Sequence, residues 1–350
     1  MQQEAARLIH LPDSAYEGLD EDALSALSIR FSDLIGAQGP APENAAEARA
    51  IPIMLVAAAP SRVTSLEGRK WPFLVGRYTN GWASWVVNWR LNGRVIIADL
   101  QSGNVSTRLL TIREKTADRR QSPPVPSMST AAPDDFKAAT SSAGVTRYFP
   151  FFNLVQPRSS LPARFALTAI SFDSKSNTVI TTVAPPDGTP PPPPAKRPHA
   201  MATPGVQVLT ATDNAPKAGS ARAPAHINPG SPLPVEVSLD LTVEQGAVIA
   251  TPPGGSESGP DGLLSVTLLL FKRDTEFPLT IQLRVPAHLH GPVGPGQRAT
   301  AAFSVDVNQF HETAELRGLF QIYVVAGAQT LGPQAVVIGQ LDGPEALLPH

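Results

Sequence analysis

The sequence has no cysteine, and charged residues occupy only 17% of its 350 positions. The absence of cysteine excludes disulfide bonds, thiolate metal sites, iron–sulfur clusters and cysteine nucleophiles. The charges nearly balance, with 28 basic and 30 acidic residues and a net charge of −2. Because the chain lacks the overall positive charge that attracts phosphate backbones, we expect no nucleic-acid partner.

Long hydrophobic runs are also missing. The longest apolar stretch, Ile51 to Pro60, is far shorter than the ~20 residues of a membrane-spanning helix, so no membrane span is expected. The first residues, MQQEAARLIHLPDSAYEGLDEDAL, lack the basic start and apolar core of a signal peptide. The compartment therefore stays open: cytoplasmic if Met1 is the native start, and periplasmic or secreted if a signal peptide has been removed.

The familiar motifs of catalysis and cofactor binding are absent as well. The sequence contains no phosphate loop, no dinucleotide-binding glycine pattern and no nucleophile elbow. The nearest approach to a zinc-protease helix, His311 to Glu315, has glutamate in place of the second histidine. Paired carboxylates such as Asp134 and Asp135 are expected by chance in a chain with 30 acidic residues. We therefore expect no cofactor, name no catalytic residue and favour a protein that is not an enzyme.

Proline and glycine, by contrast, are abundant, with 37 and 26 residues. This composition favours short strands and many turns over a helical bundle. The exception is residues 20–36, which are predicted to form a helix because their apolar residues have helical spacing. Acidic residues suit the start of this helix, and Gly36 suits its end. The stripe that this spacing predicts consists of Leu24, Leu27, Phe31, Leu34 and Ile35.

All four tryptophans lie between Trp71 and Trp89. Trp85 and Trp89 precede an Asn92-Gly93 pair, which favours a two-residue hairpin turn. The register of such a hairpin places Trp85 and Trp89 on one face with aliphatic residues, and that face is predicted to be the core. The opposite face of the hairpin, which is predicted to lie away from the core, carries Val95, Ile97 and Asp99. A second turn at 102–104 and further strands, including 147–155, are predicted to complete the sheet.

The composition changes sharply after residue 184, where five consecutive prolines occupy 190–194. Such a run favours an extended polyproline helix, which separates the parts of the chain that it joins. Its two readings are a passive spacer, which we favour, and a docking motif for an aromatic groove. Beyond it, six or seven short strand patterns recur at about ten-residue spacing, as in an all-β sandwich.

The predicted fold is therefore mainly β, with two antiparallel β-sandwich domains of immunoglobulin-like pattern and a short N-terminal helix. The predicted divisions are an N-terminal helical segment (1–50), a β-sandwich domain (51–184) with a mobile loop (116–140), a Pro-rich linker (185–232) and an immunoglobulin-like β-sandwich domain (233–345).

Two pairs of residues are candidate sites. Tyr78 and Trp82 lie near a turn, where aromatic faces can stack on a sugar or another planar ligand. His288 and His290 have the spacing that puts two imidazoles on the same side of a strand, as metal sites require. Further ligands would have to come from His226, His311 or a carboxylate such as Asp306, and we expect no metal site here by default.

Three functions remain open. The first is a non-enzymatic binding or structural protein that acts through sandwich surfaces on a protein or carbohydrate partner. The second is a metal-binding protein or metal-dependent enzyme using His288 and His290. The third is a subunit of a larger assembly, such as a capsid or surface layer. The first is favoured because β-sandwich domains often serve recognition, which is an argument from analogy.

Overall fold

The computed structural model describes fourteen segments of the chain: 11–17, 19–36, 54–64, 70–80, 93–110, 142–156, 161–171, 174–185, 207–211, 220–242, 262–272, 278–290, 297–306 and 317–339. Strands dominate these segments, which confirms the prediction of a mainly β protein with several sheets. The immunoglobulin-like pattern stays a prediction. No helix in the described segments is long and apolar enough to cross a bilayer.

The helical elements are a 3-10 turn at Asp13–Tyr16, helix α1 at Glu21–Gly36 and a single helical turn, α2, at Phe151–Leu154. The strands are β1 (Met54–Ala58), β2 (Arg62–Thr64), β3 (Pro72–Asn80), β4 (Arg94–Asp99), β5 (Val105–Leu109), β6 (Ser142–Pro150), β7 (Ala163–Ser171), β8 (Ser174–Ala184), β9 (Gln207–Ala211), β10 (Ser220–Arg222), β11 (His226–Ile227), β12 (Leu233–Thr242), β13 (Gly262–Lys272), β14 (Leu279–His290), β15 (Gln297–Val305), β16 (Gly318–Ala326) and β17 (Gln329–Ile338).

The chain divides into two compact units. The amino-terminal unit comprises Met1–Ile96, Arg108–Ser160 and Leu167–Pro186, and the carboxy-terminal unit comprises Ile97–Thr107, Leu161–Ala166 and Asp187–His350. Strands β9, β10 and β11 fall within the range predicted as a linker, whereas its five consecutive prolines lie outside the described residues, as does the predicted loop 116–140.

Helix α1 forms where the sequence predicts it. Asp20 caps its start, since one carboxylate oxygen accepts the Ala23 N–H at 2.8 Å. Leu24, Leu27 and Phe31 are buried, as expected for the apolar stripe, and the helix packs against β3 and β6. These two strands and β1 make a three-stranded antiparallel sheet in the order β1-β3-β6.

A five-stranded sheet has the order β2-β8-β7-β4-β5. The turn predicted at 102–104 joins β4 to β5, with Gly103 in the left-handed region at a φ of 74°. The Asp99 N–H donates to Asn104 O and the Leu110 N–H to Gly93 O, so the two strands run antiparallel. Trp85, Trp89 and Asn92 lie outside the described residues.

One feature of β4 corrects the prediction from its hairpin pattern. Val95 and Ile97, which were expected on the face away from the core, are 0% and 4% exposed, while Ile96 on the other face is 1% exposed. Both faces of β4 are therefore buried. Four consecutive apolar residues are typical of a strand covered on both sides, and the period of two applies only where one face meets solvent.

The strand predicted over 147–155 ends too late. Strand β6 ends at Pro150, which lies opposite Pro72 of β3, so neither residue has an N–H to continue the ladder. The chain then forms α2, in which the Val155 N–H donates to Phe151 O and both Phe151 and Leu154 are buried. A run of apolar residues alone does not distinguish these two conformations.

The carboxy-terminal unit contains a β-sandwich. One layer comprises β10, β12, β15 and the end of β14, and the other comprises the first part of β14 with β13, β16, β17 and β11. Strand β14 belongs to both, because residues 279–287 pair with β13 and residues 288–290 pair with β15. Strand β9 connects the layers a second time by pairing with β12 and β13.

The core of this sandwich is apolar and comes from alternate residues of the facing strands. Its members include Val235, Val237 and Leu239 of β12, Val266, Leu268 and Leu270 of β13, Ala299 and Ala301 of β15, and Phe320, Ile322 and Val324 of β16. The six strand patterns predicted beyond residue 233 correspond to β12 through β17.

Candidate functional site

The layer formed by β10, β12, β15 and the end of β14 has one buried and one exposed face. Alternate residues point into the apolar core, and those between them are exposed or partly exposed. We call this exposed surface the outer face. Its exposed members are Ser220 and Arg222 of β10, Pro234 and Glu236 of β12, His288 and His290 of β14, and Arg298, Ala302 and Ser304 of β15.

The strand register aligns these side chains in rows across the sheet. His288 lies opposite Thr300, which lies opposite Ser238, and Ser238 in turn lies opposite Ser220. In a neighbouring row, Ala302 lies opposite Glu236 and Glu236 opposite Arg222. Paired residues of a sheet project to the same side, so each row presents its polar groups together.

The other layer contrasts with this arrangement. On β13 and β16, residues that alternate with the core members are buried too, including Leu269, Phe271, Tyr323 and Val325. The rings of Phe271 and Tyr323 meet edge to face with centroids 5.6 Å apart. Because these strands bury both faces, the outer face of the first layer is the more accessible strand surface of the sandwich.

His288 and His290 are on the outer face, and both are exposed. The register makes His288 the direct partner of Thr300 and His290 the direct partner of Arg298. His290 also reaches Thr300 diagonally, since its Nε2 lies 2.7 Å from Thr300 Oγ1. The sequence predicts the two histidines on one side of a strand, and the structure adds a hydroxyl group in contact with His290 on the residue opposite His288.

Of the other metal ligands considered from the sequence, the two that the structure describes, His226 and Asp306, do not form a metal-binding group with this pair. His226 belongs to β11, where its Nε2 is 2.8 Å from Gly339 O. His311 lies outside the described residues. Among the residues that the structure describes, no three His, Asp or Glu side chains form a group able to hold a metal ion.

The aromatic candidates are Tyr78 and Trp82. The backbone of Tyr78 lies in β3, opposite Met54 of β1 and Gly144 of β6. Trp82 lies outside the described residues. Trp71, a third member of the tryptophan group, is buried, and its indole N–H donates to Thr64 O at 2.8 Å. The prediction of a stacking site at Tyr78 and Trp82 therefore stays a prediction.

Several ionisable groups elsewhere have shifted pKa values with local explanations. A hydrogen bond to Glu21, 2.8 Å long, raises the pKa of the Tyr148 hydroxyl, and burial adds to this effect. Burial raises the pKa of Tyr16, with the nearby charge of Asp13 as a smaller cause. Burial lowers the pKa of Lys175. These residues belong to different elements, the 3-10 turn, β6 and β8, and we assign them to the packing of the amino-terminal unit.

Arg298 and Thr300 are the site residues that reasoning from the sequence missed. The alternation in QRATAAFSV indicates a strand with one exposed face, but it does not say which strand lies beside it. Their position next to His288 and His290 depends on the pairing of β14 with β15, which only the structure supplies.

Comparison with known proteins gives no family. No protein-family model matches the chain, and no curated protein does. Among solved structures, a β-glucosidase from Listeria innocua in complex with isofagomine is 16% identical, with a TM-score of 0.22 over 35% of this chain and 16% of that one. The alkylpurine DNA glycosylase AlkC of Pseudomonas fluorescens, bound to DNA containing an abasic site analog, is 13% identical, with a TM-score of 0.22 over 35% of this chain and 30% of that one. At these scores the likeness supports no conclusion about fold or function.

Proposed function

We propose that the protein is a non-enzymatic binding module that holds a protein partner on its outer face. The observation that carries this proposal is the accessibility of polar side chains across β10, β12, β15 and β14, directly above an apolar core. A strand surface fixed by a packed core positions its side chains with little loss of conformational freedom on binding. Such a surface suits recognition better than catalysis, because sites for small molecules are usually concave.

The charges of the outer face indicate the chemistry of the partner. Its exposed members include two arginines, Arg222 and Arg298, and one glutamate, Glu236. Arginine is enriched at protein interfaces and forms paired hydrogen bonds with carboxylates. We therefore expect the partner to present acidic groups. A carbohydrate partner would instead be expected at the aromatic residues Tyr78 and Trp82.

Site-specific photocrosslinking tests this proposal in extracts of the source cells. A photoreactive residue replaces Ala302, which is exposed in the middle of the outer face, and a matched probe replaces Ile29, which is 64% exposed on α1. We expect one protein to be captured at position 302 and not at position 29. The double variant Arg222→Glu and Arg298→Glu should abolish that capture, because it reverses the charge that attracts the partner.

Three outcomes would contradict the proposal. Equal capture at positions 302 and 29 would indicate nonspecific contact. Capture that survives the charge reversal would show that the arginines do not recognise the partner. Crosslinking of the chain to itself, together with a particle far heavier than 37.0 kDa in light scattering, would favour the subunit of a larger assembly.

A further inference from the structure

A second property of the outer face lies in the arrangement of His288, His290 and Thr300, and it does not depend on a protein partner. His288 is the cross-strand neighbour of Thr300, and directly opposite residues have Cβ atoms about 4.5 to 5.5 Å apart. His290 contacts the same threonine, with 2.7 Å between Nε2 and Oγ1. The two histidines therefore lie on the same side of β14 and share Thr300 as a neighbour, one by strand register and the other by a hydrogen bond.

The contact with Thr300 also prepares His290 to act as a ligand. A metal-bound histidine usually donates the N–H of its other ring nitrogen to a nearby oxygen, which fixes the tautomer and the orientation of the ring. In the tautomer that carries hydrogen on Nε2, His290 donates to Thr300 Oγ1, and Nδ1 presents its lone pair. His288 and His290 are both exposed, so an ion can reach them from solvent.

We propose that His288 and His290 together chelate a divalent transition-metal ion on the outer face. Imidazole nitrogen suits copper, nickel and zinc, and affinity for such ligands is highest for Cu²⁺. The part of the chain that the structure describes has no group of three His, Asp or Glu side chains able to hold a metal ion, so the proposed site has two protein ligands among these residues. The site therefore differs from a closed structural zinc site, which has four protein ligands.

The main experiment uses the full chain without an affinity tag, stripped of metal with a chelator and then titrated with copper(II) chloride. We expect a site that His288→Asn or His290→Asn weakens by at least about tenfold, since each removes one of two protein ligands. Electron paramagnetic resonance of the bound Cu²⁺ should show coupling to two imidazole nitrogens in the natural chain and to one in either variant. Thr300→Val should weaken binding less than either histidine variant.

His226→Asn is the matched control, because His226 lies on β11 and its Nε2 contacts Gly339 O. The control should bind Cu²⁺ like the natural chain, and all variants should retain its melting temperature. Because the chain has seven histidines, the variants are needed to assign the bound Cu²⁺ to this pair. If the double variant His288→Asn and His290→Asn binds Cu²⁺ as tightly as the natural chain, the proposed site is wrong.

This test is independent of the one for the binding module, because it needs only the chain and the metal ion. A failure to capture a partner would contradict the binding module but not the metal site. A failure to bind Cu²⁺ would contradict the metal site but not the partner surface.

Discussion

The carboxy-terminal sandwich and strand β8 of the amino-terminal unit differ in the polarity of the side chains that they bury. The sandwich core consists of aliphatic and aromatic side chains such as Leu239, Leu268 and Ile322. Strand β8 instead buries Ser176, Thr178 and Thr181. The two regions show that alternation of polar and apolar residues does not by itself reveal which face of a strand is inside.

The polar residues of β8 are buried because each of their hydroxyl groups has a hydrogen-bond partner. Thr178 Oγ1 lies 2.8 Å from Thr168 Oγ1, Ser176 Oγ accepts the Ala169 N–H at 2.9 Å, and Thr181 donates to Pro60 O at 2.9 Å. Such bonds are directional, whereas apolar contacts are not. The response to mutation should therefore depend on volume in the sandwich and on the loss of particular partners at β8.

The largest effect is expected from truncation in the sandwich core. Leu268→Ala and Leu239→Ala remove buried side chains from the two facing layers, and each should lower the free energy of unfolding by about 2 to 5 kcal/mol. Chemical denaturation followed by circular dichroism measures both. If one variant costs less than ~1 kcal/mol, the two layers do not share one core.

A smaller loss is expected from Asn177 of β8, which joins this strand to β1. Its Oδ1 accepts the Ala57 N–H at 2.9 Å, and its Nδ2 donates to Ala57 O at 3.0 Å. Asn177→Ala should cost about 2 to 3 kcal/mol, since two hydrogen bonds of ~1 kcal/mol each are lost and their backbone partners are left without them.

Asn177→Leu separates hydrogen bonding from packing at the same position. It replaces the amide with an apolar side chain of similar size, so it should destabilise the chain about as much as Asn177→Ala. Rescue of stability by leucine would show that β8 is held by apolar contact after all, and the distinction between the two regions would be lost.

The buried threonine pair of β7 and β8 should show coupling. Thr168→Val and Thr178→Val each leave a buried hydroxyl group without its threonine partner, at a cost of about 1 to 3 kcal/mol. The double variant should cost about 1 kcal/mol less than the sum of the single variants, because it leaves neither hydroxyl behind. Simple additivity would mean that the two groups act independently.

The smallest effects are expected on the outer face. Ser304→Ala and Glu236→Gln alter exposed side chains, and each should change the free energy of unfolding by no more than ~0.5 kcal/mol. The same denaturation experiment measures them. A loss above ~1 kcal/mol would mean that the outer face helps to hold the sandwich together, and it would weaken the case for a surface reserved for binding.

Local signals predicted the elements that depend on local structure. The acidic residues around Asp20 and the stripe through Phe31 predicted α1, and Gly103 marked the turn before β5. The strand patterns from 233 onward predicted β12 to β17, because each is a run of strand-forming residues bounded by turn residues.

Features that depend on distant parts of the chain could not be predicted from local sequence patterns. The burial of both faces of β4 depends on what covers them, and the two residues of β11 are too few to give a pattern. The candidate site divides along the same line. Periodicity placed His288 and His290 on one side of a strand, whereas the proximity of Thr300 and Arg298 follows from a register between two strands that no local rule fixes.

The pairing of β11 with the last strand of the sandwich has a consequence for how the protein is made. His226 and Ile227 lie beside Val337 and Ile338, and the ring of His226 contacts Gly339, 113 residues further along the chain. A ribosome adds residues in order, so β11 waits without its neighbour until synthesis has passed residue 338. Pairings this distant in sequence form slowly. The nascent carboxy-terminal unit is therefore expected to close its sheet only after release of this segment from the exit tunnel.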